Sequence, residues 1–154
     1  MIECTESNLF KLASTFRNAI DKAYAAKEFD NVPPFDRFPY GCCGLISHLL
    51  AEFLQNIDIK TFYVSGCRYF QNPWHFQSHA WLKTENDIMI DITGDQFKNN
   101  NDFDYYSVPV YVGQINHFLS LFDIEDITVS TGLDVFSVNK ALYYSVYKKI
   151  IKYL

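Results

Sequence analysis

Residues 78–92 have the sequence SHAWLKTENDIMIDI, in which two short apolar runs flank a polar turn. In the first run the side chains alternate between the two faces of a strand, with His79 and Trp81 on the same face. If residues 84–86 form a three-residue loop, the second run pairs with the first and Asp91 lies directly opposite His79. A two-residue loop would shift the register by one position and turn Asp91 to the other face. The sequence therefore predicts a β-hairpin whose loop length decides whether the two side chains meet.

Asp91 interrupts the apolar run 88–92, IMIDI. A carboxylate among buried apolar neighbours destabilises a fold unless a partner compensates its charge. A histidine on the adjacent strand would be such a partner. The plainer interpretation of His79, a structural histidine packed beside a tryptophan, stays open on this evidence.

The remaining elements follow from periodicity. Helical spacing of apolar residues predicts helices over residues 7–26, 43–55 and 140–154. Alternation and short apolar runs predict strands over residues 61–65, 78–83, 88–92 and 108–112. Pro109 puts the last strand at an edge or a strand start, residues 94–107 are polar enough to form a loop, and residues 114–139 show no clear period. On the C-terminal helix the expected buried side chains are Ala141, Tyr144, Ile151 and Leu154.

Two helices followed by a meander of strands predict an α+β fold, with the N-terminal helices packed on an antiparallel β-sheet. The length of 154 residues predicts a single domain over residues 1–154. With 49% hydrophobic and 20% charged residues, the chain can bury a core of ordinary size.

The composition also narrows the classes of partner. A net charge of −5 disfavours nucleic acid. No apolar run reaches 18 residues, so no membrane association is expected. The first residues lack the basic and apolar regions of a secretory signal, so a cytoplasmic location is expected. The sequence has no glycine-rich phosphate loop and no acidic calcium loop, so neither a cofactor nor a metal is expected.

Four cysteines occur, at positions 4, 42, 43 and 67, and no pair has the CxxC spacing of a zinc site. Cys43 stands where a Pro- and Gly-containing loop becomes a helix. A thiolate there faces unpaired backbone N–H groups and the positive end of the helix dipole, and both lower the pKa of a thiol. Gly41 allows a tight turn before it. The simpler alternative is that Cys42 and Cys43 are small buried side chains.

Cys43, His79 and Asp91 together provide the groups that nucleophilic catalysis on an acyl carbon needs. A thiolate attacks, and an imidazole holds the proton and later returns it to the leaving group. A carboxylate fixes the tautomer and orientation of that imidazole.

Three motifs occur in an order that resembles the transglutaminase-like branch of the papain-like superfamily. They are Gly41-Cys42-Cys43 at a helix start, His79-Ala80-Trp81 on a strand and Asp91-Ile92-Thr93 on the next strand. The longer strings FPYGCCG (38–44), SHAWL (78–82) and DITGDQF (91–97) are similar to a group of small bacterial proteins in that branch. The resemblance covers roughly residues 36–97. It departs from the family at Gly44, where an aromatic residue often follows the cysteine.

The resemblance implies a Cys-His-Asp triad at Cys43, His79 and Asp91, on a helix packed against an antiparallel sheet. It favours Cys43 over Cys42, because the family's cysteine is the second residue after the glycine. The implied activity is that of a hydrolase or acyl transferase acting on an amide or peptide bond of a protein or peptide substrate. A protease or deamidase is favoured over a transglutaminase.

The backbone N–H of Cys43 is the first candidate donor to an oxyanion. The candidates for a second donor or a substrate contact are Tyr40, Trp81 and Gln96. Two other classes stay open. One is a non-enzymatic binding or immunity-type module that keeps the fold, and the other is a metal site that joins Cys42 or Cys43 to His75 or His79.

Overall fold

The computed structural model describes residues 1–154, which form four α-helices, five β-strands and several short 3₁₀ turns. The α-helices are α1 (Glu6–Ala25), α2 (Cys43–Gln55), α3 (His117–Ser120) and α4 (Lys140–Ile151). The strands are β1 (Phe62–Phe70), β2 (His75–Lys83), β3 (Met89–Asp91), β4 (Tyr111–Gly113) and β5 (Asp123–Val129). The α+β class is confirmed. None of the helices combines the length and hydropathy that crossing a bilayer demands.

The five strands form one antiparallel sheet in the order β4-β3-β2-β1-β5. β1 and β2 pair along their whole length, from Phe62 opposite Lys83 to Phe70 opposite His75. β3 is much shorter and pairs with β2 only at Leu82 and Lys83. β2, the strand that carries His79, therefore has a neighbour on both sides only at its C-terminal end. Over the rest of its length it pairs with β1 alone, and its other edge is free.

α1 begins at an N-cap, where the Thr5 hydroxyl accepts the Asn8 N–H at 3.2 Å. Its buried side follows a spacing of three and four residues, through Leu9, Ala13, Phe16, Ala19, Ile20 and Ala23. These side chains join those of α2, α4, Leu82 and Ile90 in a cluster of 23 buried hydrophobic residues on one face of the sheet.

The opposite face of the sheet carries a second cluster, which we call the aromatic cluster. It consists of Val64, Trp81, Met89, Phe97, Phe103, Phe118, Leu119 and Phe122. Trp81 belongs to the aromatic cluster and its neighbour Leu82 to the helix-side core, as the alternation of a strand requires. Both faces of β2 are thus buried near its C-terminal end.

The predicted helix bounds agree with the structure to within one residue for α1, and both ends of α2 are as predicted. β4 is an edge strand that begins two residues after Pro109, as that proline predicts. The buried side predicted for α4 is wrong, because the predicted residues Ala141, Tyr144, Ile151 and Leu154 are all exposed. The buried residues of α4 are Val146, Tyr147 and Ile150.

Two segments contain structure that the sequence did not predict. The polar segment 94–107 contains two 3₁₀ turns, Gly94–Phe97 and Asn101–Phe103, which deliver Phe97 and Phe103 to the aromatic cluster. Residues 114–139 contain α3, β5 and a further 3₁₀ turn. β5 pairs with β1 and its seven residues are all exposed.

The register predicted for the β2–β3 hairpin is wrong by two residues. Lys83 pairs with Met89 rather than with Asp87, and the Thr84 N–H donates to the Ile88 carbonyl at 3.0 Å. A shift of two residues keeps every side chain on its face, whereas a shift of one would reverse it. Asp91 therefore lies on the same face as His79, although diagonally to it.

Candidate active site

Cys43 is the first residue of α2, and its thiol is half-buried. The turn before it contains Gly41, whose φ of +68° lies in the left-handed region that a glycine adopts without strain. The backbone N–H groups of Cys43, Gly44 and Leu45 donate to no group of the chain. The thiol therefore lies beside three free N–H donors at the positive end of a helix.

Cys42 differs from its neighbour in every respect that bears on reactivity. Its side chain is fully buried, and its thiol donates to the carbonyls of Pro34 and Tyr40 at 3.2 and 3.3 Å. Burial, together with the nearby Cys43, raises the pKa of Cys42 to about 12. Cys42 is a structural residue that holds the loop before α2.

His79 and Asp91 form a buried pair. The His79 Nε2 and the Asp91 Oδ2 are 2.9 Å apart, and both side chains are about 1% exposed or less. The other carboxylate oxygen, Oδ1, accepts the backbone N–H of Thr93 at 3.1 Å. With both oxygens engaged, Asp91 holds the imidazole in the tautomer that carries its proton on Nε2, so that Nδ1 faces outward from the pair.

Gln96 lies at the free nitrogen of this imidazole. Its Nε2 is 3.0 Å from the His79 Nδ1, and the same side chain lowers the pKa of the Cys43 thiol. With the imidazole neutral, Nδ1 accepts an amide hydrogen of Gln96. Once Nδ1 is protonated, those amide hydrogens are released to the thiolate or to a substrate oxygen beside it.

α2 also supplies a hydrogen-bond partner to the unpaired edge of β2. Because β3 ends early, the backbone groups of Ala80 have no strand partner on that side. Ser47 donates its hydroxyl to the Ala80 carbonyl at 3.4 Å, and the Ala80 N–H lowers the pKa of the Cys43 thiol. Cys43 and Ser47 are one helical turn apart. The helix is therefore fixed along the strand at the height that brings the thiol to His79.

The electrostatics of the site favour a thiolate and an imidazolium. Burial raises the pKa of the Cys43 thiol, but the hydrogen bond and charge of His79, the Ala80 N–H and the Gln96 amide outweigh it, and the pKa is lowered. Burial lowers the pKa of His79, but the charge and hydrogen bond of Asp91, followed by those of Cys43, raise it to about 10. Between these two pKa values the proton resides on the imidazole.

The aromatic cluster shields the imidazole from water. Four rings surround His79, those of Phe97, Phe122, Phe118 and Trp81, with centroid distances of 5.2, 5.4, 5.6 and 5.7 Å. Two of these rings meet it edge-on. In such a dry environment the interaction between the imidazolium and Asp91 is stronger than in water. Among the side chains of Cys43, His79 and Asp91, only the Cys43 thiol is reached by solvent.

The structure thus brings Cys43, His79, Asp91 and Gln96 together, whereas neither of the other two candidates is placed to act as a donor or substrate contact. Trp81 is fully buried, and its indole N–H donates to the Met89 sulfur at 3.3 Å, so it cannot contact a substrate. The hydroxyl of Tyr40 accepts a hydrogen bond from Asn99 and is not directed at the thiol. Tyr40 is 38% exposed.

The metal-site alternative finds no support in the geometry. His75 lies four residues before His79 on β2, about 13 Å away along an extended strand. Its ring contacts the Pro73 carbonyl and Asp102 rather than any cysteine. No group of three His, Cys, Asp or Glu side chains is arranged to hold a metal ion.

Sequence reasoning missed Arg17, a buried side chain of α1 whose guanidinium bonds to the segment between Asp91 and Gln96. The sequence does contain a signal for the buried position of Arg17. Arg17 is four residues after Ala13 and three before Ile20, within the apolar stripe of the helix. A charged residue in such a stripe needs a buried partner.

No protein-family model, no curated protein and no solved structure matches this chain. The resemblance to the transglutaminase-like branch therefore stays a prediction from three short motifs. The chemistry of the site is inferred from the contacts of the chain's own residues.

Proposed function

We propose that this protein is a cysteine hydrolase that cleaves an amide or peptide bond through a thioester on Cys43, and that its fold belongs to the transglutaminase-like branch of the papain-like superfamily. One observation carries the proposal. A thiol at the first residue of a helix lies close enough to an imidazole for its pKa to be lowered, and the Nε2 of that imidazole is held at 2.9 Å by a buried carboxylate. The proposed substrate is a protein or peptide.

In the proposed first step the Cys43 thiolate attacks the carbonyl carbon and a C–S bond forms. The oxyanion then receives the backbone N–H of Cys43 and an amide hydrogen of Gln96. The His79 imidazolium donates its Nδ1 proton to the leaving nitrogen, the C–N bond breaks, and an amine departs. Asp91 keeps the ring oriented while its charge changes.

In the second step the neutral imidazole takes a proton from a water molecule, which attacks the thioester. The C–S bond breaks, the acyl group leaves as a carboxylic acid, and the proton returns to the thiolate–imidazole pair. An amine in place of water would give transfer rather than hydrolysis. If the substrate is a glutamine side chain, the hydrolytic reaction is a deamidation.

The test compares the reactivity of the four cysteines by alkylation with iodoacetamide, followed residue by residue by mass spectrometry from pH 5 to 10. Cys43 is expected to react fastest at neutral pH, with an apparent pKa well below the value of about 8.5 of a free thiol. His79→Ala should remove this advantage. Cys4, which is exposed and remote from the triad, serves as an internal reference within each sample.

A Cys43 that reacts no faster than Cys4, or whose rate is unchanged in His79→Ala, would contradict the proposal and favour a binding module that keeps the fold. If Cys43 is activated, a library of peptide amides and glutamine peptides is the next assay. Release of ammonia alone indicates a deamidase, a new peptide N-terminus indicates a protease, and incorporation of an added amine indicates a transferase.

A further inference from the structure

Arg17 lies in the middle of α1 and is only 6% exposed. Its Nη1 donates to the carbonyls of Ile92 at 2.7 Å and Pro109 at 3.2 Å and to the Asp95 Oδ1 at 2.9 Å. Its Nη2 donates to the Asp95 Oδ2 at 2.7 Å, and its Nε donates to Asp21 at 3.0 Å. The two charged groups that face this guanidinium are therefore Asp95, held in a two-pronged ion pair, and Asp21 on its own helix.

Two of the acceptors of Arg17, Ile92 and Asp95, lie at the two ends of one short segment. Ile92 directly follows Asp91, and Asp95 directly precedes Gln96. Within the segment, Asp91 accepts the Thr93 N–H, and Gly94 is packed so closely that a Cβ there would lie 2.6 Å from the Tyr106 ring. Arg17 thus closes a tight turn whose two flanking residues contact opposite nitrogens of the same imidazole.

The same guanidinium also contacts the loop that leads to the nucleophile. Its central carbon lies 4.7 Å from the centre of the Phe38 ring, a cation–π geometry. Phe38 begins the string 38–44, which ends at the start of α2. One side chain of α1 therefore touches two of the three chain segments that deliver the groups of the site, the loop before α2 and the turn after Asp91, although it is not itself one of those groups.

We propose that Arg17 is a positioning residue, which sets Asp91 and Gln96 at the correct distance from His79 and Cys43. This inference rests on the proposed function. A guanidinium is suited to the role because its rigid planar fork binds Asp95 and the Ile92 carbonyl at the same time, whereas a lysine offers one point charge. Arg17 acts through Asp95 and the turn, so its loss would displace the triad without removing any reacting atom.

If Arg17 only stabilises the fold, its replacement should lower the melting temperature without changing the site. A matched control variant distinguishes this outcome from a positioning role. Glu52 is also a buried charged residue that holds a distant turn, through the Leu133 N–H and the Tyr144 hydroxyl, each at 3.0 Å. It lies nine residues beyond Cys43 on α2, about 13 Å along the helix. Glu52→Gln should lower the melting temperature and leave the site unchanged.

The experiment uses Arg17→Lys, Asp95→Asn and Glu52→Gln, and measures three quantities in each: the melting temperature, the pH profile of Cys43 alkylation, and the NMR resonance of the His79 Nε2–H. The two turn variants are expected to raise the apparent pKa of Cys43 by about one unit, which lowers its alkylation rate about tenfold on the acid side of the profile. They should also shift or broaden the Nε2–H resonance. Glu52→Gln should change neither the apparent pKa of Cys43 nor the Nε2–H resonance, even if it lowers the melting temperature by the same amount.

Arg17→Lys and Asp95→Asn that lose melting temperature but keep both the alkylation profile and the Nε2–H resonance would overturn the inference. The NMR signal keeps the two proposals separate. If Cys43 of the unmodified protein is unreactive, the hydrolase proposal fails, and the Nε2–H resonance still decides whether Arg17 positions the His79–Asp91 pair.

Discussion

Replacement of Asp91 by asparagine tests whether the charge of this residue, rather than its shape, activates the site. The side chain is about 1% exposed and bonds to the His79 Nε2 at 2.9 Å. Asparagine has nearly the same size and keeps an oxygen that can accept the Nε2–H, while its NH2 group then replaces the oxygen that accepts the Thr93 N–H. The substitution therefore removes the negative charge and leaves most of the packing in place.

The magnitude follows from the geometry. Two unit charges about 4 Å apart attract by about 4 kcal/mol at an effective dielectric constant of about 20, which corresponds to about 3 pKa units. The pKa of His79 rises from 6.5 to about 10 despite the opposing effect of burial, and Asp91 is the largest of the groups that raise it. Without that charge, burial lowers the pKa of His79 and only Cys43 still raises it, so the equilibrium between ion pair and neutral pair shifts about a thousandfold towards the neutral pair.

Cys43 then reverts to a thiol whose pKa is at least the ordinary value of about 8.5, of which about 3% is ionised at pH 7. We expect the alkylation rate of Cys43 at pH 7 to fall about 30-fold or more in Asp91→Asn. Asp87→Asn is the matched control, because Asp87 is an exposed carboxylate on the same hairpin, paired with Lys83 at 2.7 Å. A rate in Asp91→Asn within threefold of the unmodified protein would refute the reasoning.

Unfolding provides a second readout of the same pair. Because the pKa of His79 is raised on folding, its contribution to stability is complete below about pH 6.5 and is lost as the pH rises through about 10. In a Cys43→Ala background, which removes the thiol's own titration and its contribution to the raised pKa of His79, the unfolding free energy should therefore decline between about pH 6.5 and a pH below 10. The decline should be much smaller when Asp91→Asn is added, and equal declines would contradict the assignment.

Three further outcomes are expected. Cys43 alkylation should reach a plateau below pH 8.5 and change again near pH 10, where His79 loses its proton; a single ionisation near 8.5 would argue against the ion pair. Gly94→Ala should destabilise the protein by about 1–3 kcal/mol in urea unfolding and slow Cys43 alkylation, since the added Cβ lies 2.6 Å from the Tyr106 ring; unchanged stability would show that the turn has room. Cys42→Ala should cost about 1–2 kcal/mol by loss of buried contacts and leave the rate at Cys43 unchanged, whereas an equal loss of rate would mean that the structural thiol contributes to reactivity.

The elements nearest to the candidate site were largely predictable because their signals are local. The bounds of α2 follow from a proline–glycine loop and an apolar stripe of helical period. The shared face of His79 and Trp81 follows from strand alternation. β5 was missed for a physical reason: it pairs along one edge only and all seven residues are exposed, so no buried side imposes a period on its sequence.

α4 shows the limit of periodicity even where it is present. Its sequence contains two apolar stripes, and periodicity alone does not distinguish the one with exposed Tyr144 and Ile151 from the one with buried Val146, Tyr147 and Ile150. Which stripe is buried depends on the surface that the helix meets. Here Tyr147 packs near the Phe16 ring of α1, at 6.4 Å between ring centres, more than 130 residues earlier in the chain.

The sequence by itself determined the α+β class, the position of Cys43 at a helix start and the type of residue that Asp91 would need as a partner. These depend on interactions within a few residues. Only the tertiary structure decided that the hairpin register differs by two residues, that Gln96 lies at the His79 Nδ1, and that Arg17 closes the turn between Asp91 and Gln96. Those contacts join segments up to 78 residues apart, and their distances are set by how a helix, a strand edge and a turn pack together rather than by any local pattern.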